Sequence, residues 1–262
     1  MKPSATITTL RRRAARAGLS ALIIAVMASG AFAAQKSAAK RLQKHGRAAA
    51  QVKKAAITSS TIMEIEQALS DLGYWTGPVD GKWDEGSRHA LIAFQKVESR
   101  KVTGRPSRGE LMALSNAARP EAREGGRAQI EIDLSRQVLF MVDESGRVSK
   151  TLPVSTGNGK EFTSEGWTRQ AITPAGRFKV SRKIEGWRKS PLGLIYYPVY
   201  FLGGVAIHGY SSVPSQPASH GCVRIPMFAA KEFHETVPVG AWVVIHNGSL
   251  DAQRSENRAP RQ

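Results

Sequence analysis

The chain has 262 residues, 41% of them hydrophobic, with 24 glycines, 13 prolines and a formal charge of +17. That is enough apolar material for one or two globular domains with frequent turns, and the single cysteine excludes a disulfide framework. The charge is uneven: no Asp or Glu precedes Glu64, while Lys and Arg crowd the same stretch. Such a basic excess suits an anionic surface (membrane, nucleic acid or acidic wall polymer) or serves solubility alone.

Residues 1–33 have the layout of an export signal. Arg11, Arg12, Arg13 and Arg16 form a positive n-region, and Leu19 to Met27 is a short apolar core. Ala31-Phe32-Ala33 fits a small-x-small cleavage site, which predicts a cut after Ala33 and a mature protein in the periplasm or cell wall. The apolar run is well short of the roughly 20 residues a spanning helix needs. Residues 34–58 are Ala-, Lys- and Arg-rich and read as a basic linker able to touch anionic wall polymer or a membrane surface. A tail at 248–262, rich in Ser, Asn, Gln and Arg, is expected to be disordered.

A small helical unit is expected over 59–119. Ile62, Ile65, Leu69 and Leu72 recur at helical spacing behind Ser60, a suitable N-cap, and Gly73 ends the run. Gly77-Pro78-Val79-Asp80-Gly81 is strong turn punctuation. A second stripe, Ala90, Leu91 and Phe94, follows a cap at Asp84, and Ser107 with Glu110 stands at capping-box spacing before Leu111 and Leu114. His89 reads as a packing or surface residue. Gln67-Ala68-Leu69, the run from Leu72 to Asp84, Ala90 to Gln95 and Thr103-Gly104 together resemble the peptidoglycan-binding domain of the first type. That resemblance implies peptidoglycan as the partner. Tyr74, Trp75 and Trp83 would then either stack on sugars or fill the core.

The part from 127 to 247 reads as β-rich. Expected strands are Ile130–Ile132, Val138–Val142, Val148–Val154, Arg177–Arg182, Val199–Leu202, Val205–His208 and Ala241–His246, with a hairpin turn at Asp133 to Arg136. One helix is expected after Pro226, running to about Thr236. Gly and Pro separate the strands, as in a sandwich or barrel-like sheet. His234 and His246 read as structural.

The chemistry concentrates between His208 and Arg224. This stretch holds Cys222, two of the six histidines, a Gly before the cysteine and an Arg two residues after it. Thiolate is the reactive form of cysteine, and a thiol with pKa about 8.5 needs a base at neutral pH. An imidazole supplies that base, and the N–H groups of a tight Gly-Cys turn suit the oxyanion made when a carbonyl is attacked. The residues read as a cysteine acyl-transferase. A zinc site at His208, His220 and Cys222 lacks a fourth ligand, and a polar Ser-His-Gly-Cys turn is a poor place to bury a structural cysteine.

Ser155-Thr156-Gly157, Thr173-Pro174-Ala175-Gly176, Ile207-His208-Gly209 and Ser219-His220-Gly221-Cys222-Val223-Arg224 stand in the order found in the L,D-transpeptidase catalytic domain, the YkuD-type family, which this part resembles closely. The resemblance implies a mainly β, sandwich-like catalytic domain following the helical bundle. It implies Cys222 as nucleophile, His208 as general base and acid, and the Gly209 carbonyl as the group orienting the imidazole. Ser219 and His220 would position thiol and substrate, and the N–H groups of Gly221 and Cys222 would form the oxyanion hole. Arg224 would grip a carboxylate or hold the motif, and Tyr210 would wall the pocket. The implied reaction is transfer from a peptidoglycan stem tetrapeptide, through a thioester and with loss of D-Ala, to an amine. No metal or cofactor is required. Water as acceptor makes an L,D-carboxypeptidase, and a decayed site would leave a non-catalytic wall-binding protein. With an export signal, nucleic acid is not an expected partner.

Overall fold

The computed structural model describes residues 57–124, 126 and 129–247. The expected signal, residues 34–56 of the basic linker and the tail at 248–262 lie outside the described residues.

Three helices come first: α1 (Ser59–Asp71), α2 (Glu85–Val97) and α3 (Arg108–Ser115). The cap of α1 is Thr58, not Ser60. Thr58 has the extended backbone an N-cap needs, and its hydroxyl accepts from the Thr61 N–H at 3.3 Å, whereas Ser60 is already inside the helix. Beyond α1, Gly73 turns the chain at φ 83, a left-handed value that favours glycine. Asp84 and Ser107 cap α2 and α3 as expected. Only half of the capping box forms, because the Glu110 carboxylate accepts from Gln95 and Arg100 and so ties α3 to the end of α2. Glu66, fully buried, accepts from the N–H groups of Asp80 and Gly81 and from the Ser87 hydroxyl, which pins the Gly-Pro turn to α1. Ile65, Leu69, Leu91, Phe94 and Leu114 fill the small core, and Tyr74 sets its ring edge-on to Phe94 at 5.7 Å.

The mainly β part follows. Its elements are β1 (Ile130–Asp133), β2 (Val138–Val142), β3 (Val148–Pro153), β4 (Glu161–Ser164), β5 (Trp167–Gln170) and β6 (Gly176–Lys179). Then come β7 (Arg182–Lys183), β8 (Trp187–Ser190), β9 (Gly193–Leu202), β10 (Val205–Tyr210), β11 (Val223–Pro226), α4 (Met227–Thr236) and β12 (Trp242–His246). One sheet runs β3-β2-β1-β12-β6. The other runs β11-β10-β9-β7 with β8 also on β9, and β4-β5 is a separate hairpin. Ile130, Ile132 and Leu139 of the first sheet meet Val199, Ile207 and Val223 of the second in one core, which also takes in Phe233 of α4. Truncating a buried phenylalanine such as this costs about 3–5 kcal/mol.

The strand expected at Arg177–Arg182 is two strands. β6 pairs with β12 and β7 with β9, so the chain changes sheets at Val180 and Ser181, where Val180 N–H donates to Ala241 and Ser181 N–H to Tyr200. The hairpin of β1 and β2, the helix α4 and the final strand stand where the sequence puts them.

The helical unit and the β part pack directly on each other. Trp75 N–H donates to Thr151 O at 3.1 Å, and Thr151 N–H to Gly73 O at 2.7 Å. Trp75 is buried in the core of the β part, while Tyr74, one residue earlier, belongs to the helical core. Both aromatics therefore fill cores and are not open to a sugar. On the outer face of the first sheet, Val138, Phe140, Val142 and Val148 form a buried apolar cluster that Val97 at the end of α2 packs against.

Candidate active site

The two halves of the motif meet because β10 and β11 are parallel neighbours. Their register pairs Ile207 with Val223 and His208 with Arg224. Side chains alternate across a strand: Ile207, Val223 and Ile225 enter the core, while His208, Tyr210, Cys222 and Arg224 line a cleft of about 380 Å³ on the opposite face. A sequence gap from 208 to 222 thus closes into one surface.

His208 is 3% exposed, and its Nδ1 lies 3.0 Å from the Gly209 carbonyl oxygen. A carbonyl only accepts, so Nδ1 carries the proton and Nε2 is left as the acceptor. Burial lowers the imidazole to about pH 4; the Gly209 bond opposes that shift, and the Arg224 charge adds to it. Gly209 must be glycine, since a Cβ there would stand 2.6 Å from Ala230 Cβ on α4. Burial pushes the Cys222 thiol up from its ordinary value, against the Ala206 N–H and the Arg224 charge. Both shifts favour the uncharged forms, the thiol and the neutral imidazole.

The turn ahead of Cys222 is held from several sides. Ser219 Oγ donates to the Cys222 carbonyl at 2.5 Å and accepts from Gly221 N–H at 3.0 Å. The Gly221 N–H, one of the two expected to face an oxyanion, is thus engaged by the Ser219 hydroxyl in this structure. Gly221 has φ 135, and a Cβ on it would lie 3.0 Å from Ile172 O. Thr173, whose role the sequence reading missed, donates to Gly221 O at 2.7 Å and accepts from Gly157 N–H at 2.9 Å. It joins three of the four motif stretches. The signal was present in Thr173-Pro174-Ala175-Gly176, but nothing local says that its hydroxyl faces residue 221. Ser155 exchanges two backbone hydrogen bonds with Arg224, and Thr156 O accepts from Ala218 and Ser219.

Arg224 places its guanidinium over the Tyr210 ring at 4.1 Å, so its partner within the site is an aromatic face. His220 is exposed and packs at 4.8 Å, tilted by 60°, against Phe162 of β4, away from the hydrogen bonds that hold the cysteine. The cleft mouth is apolar: Trp167 of β5, Ile172, and Leu192 and Leu194 at the turn into β9 line it with large exposed side chains. Among the described residues no group of three or more His, Cys, Asp or Glu is arranged to hold a metal ion.

Residues 127–245 match the model of the L,D-transpeptidase catalytic domain, and residues 58–114 that of a peptidoglycan binding domain. The crystal structure of the L,D-transpeptidase from Xylanimonas cellulosilytica is 36% identical, with a TM-score of 0.67, and the match covers 71% of this chain and 92% of that one. The chain belongs to the L,D-transpeptidase family. The transpeptidase also matches an L,D-transpeptidase from Stackebrandtia nassauensis at 22% identity over 72% of this chain and 92% of that one (TM-score 0.41). A third, from Mycobacterium smegmatis, is 21% identical over 45% of this chain and 59% of that one (TM-score 0.37). No curated protein matched the chain. With a peptidoglycan-binding domain joined to a transpeptidase domain, peptidoglycan is the partner of this enzyme.

Proposed function

We propose that the transpeptidase is an exported cysteine enzyme that forms a Cys222 thioester with a peptidoglycan stem tetrapeptide. The observation that carries this reading is the shared face of β10 and β11, where Cys222 and His208 line one cleft and His208 keeps Nε2 free as a base. In the first step Sγ attacks the carbonyl of the third stem residue while Nε2 takes the thiol proton. The Cys222 N–H donates to the oxyanion. Collapse breaks the bond to the terminal D-Ala, whose nitrogen receives the proton from His208. An amine then attacks the thioester, gives its proton to Nε2, and expels Sγ, which is reprotonated. Ser219 and Thr173 hold the turn, and His220, Arg224 and Tyr210 contact substrate from the cleft wall.

Export through residues 1–33, with cleavage after Ala33, brings the enzyme to its polymer. The basic linker adds attraction to anionic wall polymer or membrane. N-terminal sequencing of protein recovered outside the cytoplasm tests the first, and salt-sensitive pelleting with anionic vesicles the second.

The deciding experiment is mass spectrometry of the mature protein with disaccharide-tetrapeptide, beside a Cys222→Ala control. Loss of D-Ala together with a cross-linked dimer, both absent in the control, is the expected result. Loss of D-Ala without a dimer points to water as the acceptor, a carboxypeptidase, or to an amine acceptor missing from the assay. An unchanged tetrapeptide overturns the substrate.

A further inference from the structure

A lysine from the helical domain is buried inside the transpeptidase domain, and the reaction above does not use it. Lys96, on the last turn of α2, is 7% exposed. Among the described residues its two hydrogen bonds both go to backbone carbonyls across the junction: Gln137 O at 3.0 Å and Val154 O at 3.1 Å. Burial alone brings the ammonium down to about pH 7, so its place there works against its own hydration.

Both carbonyls sit directly behind the catalytic turn. Val154 precedes Ser155, whose backbone exchanges two hydrogen bonds with Arg224. Gln137 has φ 55, a left-handed value for a residue with a side chain, which persists only where the surroundings hold it. Its carbonyl is held by Lys96 and by Val154 N–H, the latter at 2.9 Å. Its buried carboxamide donates to Thr156 Oγ1 at 2.7 Å and accepts from Thr156 N–H at 2.9 Å. Thr156 O in turn accepts from Ser219 N–H, and Ser219 Oγ holds Cys222 and Gly221. Every link from α2 to the nucleophile is a hydrogen bond between buried or half-buried groups.

We propose that Lys96 is a positioning residue: the helical domain, through Lys96, Gln137, Thr156 and Ser219, sets the geometry of the Cys222 turn. The domain read as a wall anchor is in this respect a structural part of the catalytic site.

The test compares the full mature chain with Lys96→Met, which keeps the length and removes the donors, with Gln137→Leu, and with the double variant. Turnover of disaccharide-tetrapeptide is measured with separate kcat and KM, and alkylation of Cys222 by iodoacetamide is followed against pH. The turnover arm rests on the proposed substrate; the alkylation arm needs no substrate and decides the matter alone if the wild type leaves the tetrapeptide unchanged. Lys96→Met is expected to lower kcat about tenfold or more with KM within about twofold, as for a small displacement of a reacting group. The alkylation midpoint should move toward that of a free thiol, about 8.5. The double variant should be no worse than the poorer single one, because one path has been cut twice. A folded Lys96→Met with wild-type kcat and alkylation profile overturns the proposal, as do effects that multiply in the double variant. If Lys96→Met does not fold, Gln137→Leu alone removes both carboxamide bonds to Thr156 and so cuts the path beyond the junction, and an unchanged kcat and alkylation profile in that variant overturns it equally.

Discussion

Burial moves the thiol of Cys222 up and the imidazole of His208 down, and the two shifts keep both groups uncharged at rest. In the proposed reaction the proton then leaves sulfur as the new bond to carbon forms, not in an earlier ionisation. Two outcomes follow from the sign of each shift. The acid limb of kcat/KM, which reports the base of the free enzyme, should fall with a midpoint near 4 and not near the ordinary histidine value. Iodoacetamide should alkylate Cys222 more slowly at pH 7 than it does a free thiol, with a rate still climbing above the usual thiol range; a midpoint at or below 7 would mean a resting ion pair instead. Gly209→Ala should cost about 1–3 kcal/mol, read as a lower Tm, since the new methyl overlaps Ala230 and the helix behind it must shift. At this scale the site was largely legible. Cysteine and histidine announce themselves by scarcity, glycine and arginine by their spacing from the cysteine. Thr173, Gln137 and Lys96 did not, because a hydroxyl, an amide and a lysine are common everywhere and acquire their meaning only through partners remote in the chain.

The hairpin of β4 and β5 escaped the sequence reading for a physical reason. Its strands, EFTS and WTRQ, are mostly exposed, so no apolar alternation marks them, and its turn is Glu165-Gly166 rather than Asn-Gly. The structure nevertheless gives that turn the positive φ values, 52 and 80, that a twisted two-residue hairpin requires. Short β8 was missed for the same want of pattern; β11 buries Val223 and Ile225 but is only four residues long, whereas β1, β2 and β12 carry longer buried runs and were found. The hairpin reaches the site through Phe162 on His220 and through Trp167 at the cleft mouth. Trp167 is 68% exposed, so Trp167→Ala should leave stability within about 0.5 kcal/mol of the parent. Its KM for tetrapeptide should rise several-fold, and an unchanged KM would take the hairpin out of substrate binding.

Taken whole, the fold holds several groups away from their ordinary protonation. His89, His208 and His234 are all lowered by burial, so between their folded values and the ordinary 6.5 the unfolded chain binds more protons, and stability drops as pH falls through that window. Lys96 acts in the same sense between about 7 and 10.5. The raised Cys222 and Tyr74 act in the opposite sense above about 9 and 10. Urea midpoints should therefore climb from pH 5 to a maximum at about pH 9–10 before declining. A flat profile across that range would contradict these burials. Deleting 57–119 would uncover Phe140 and its apolar neighbours on the sheet and remove Trp75 from the core, so the shortened protein should self-associate on a sizing column where the full chain does not. The same interlocked junction has a consequence for how the enzyme meets a polymer. A tethered anchor works as a leash, letting its catalyst sample any bond within reach. Here the chain passes from Tyr74 in one core to Trp75 in the next with no slack between them, so the helical and catalytic domains are joined as one block. The enzyme therefore meets its polymer as a single body, and a bond reaches the cleft only where the helical domain also finds room.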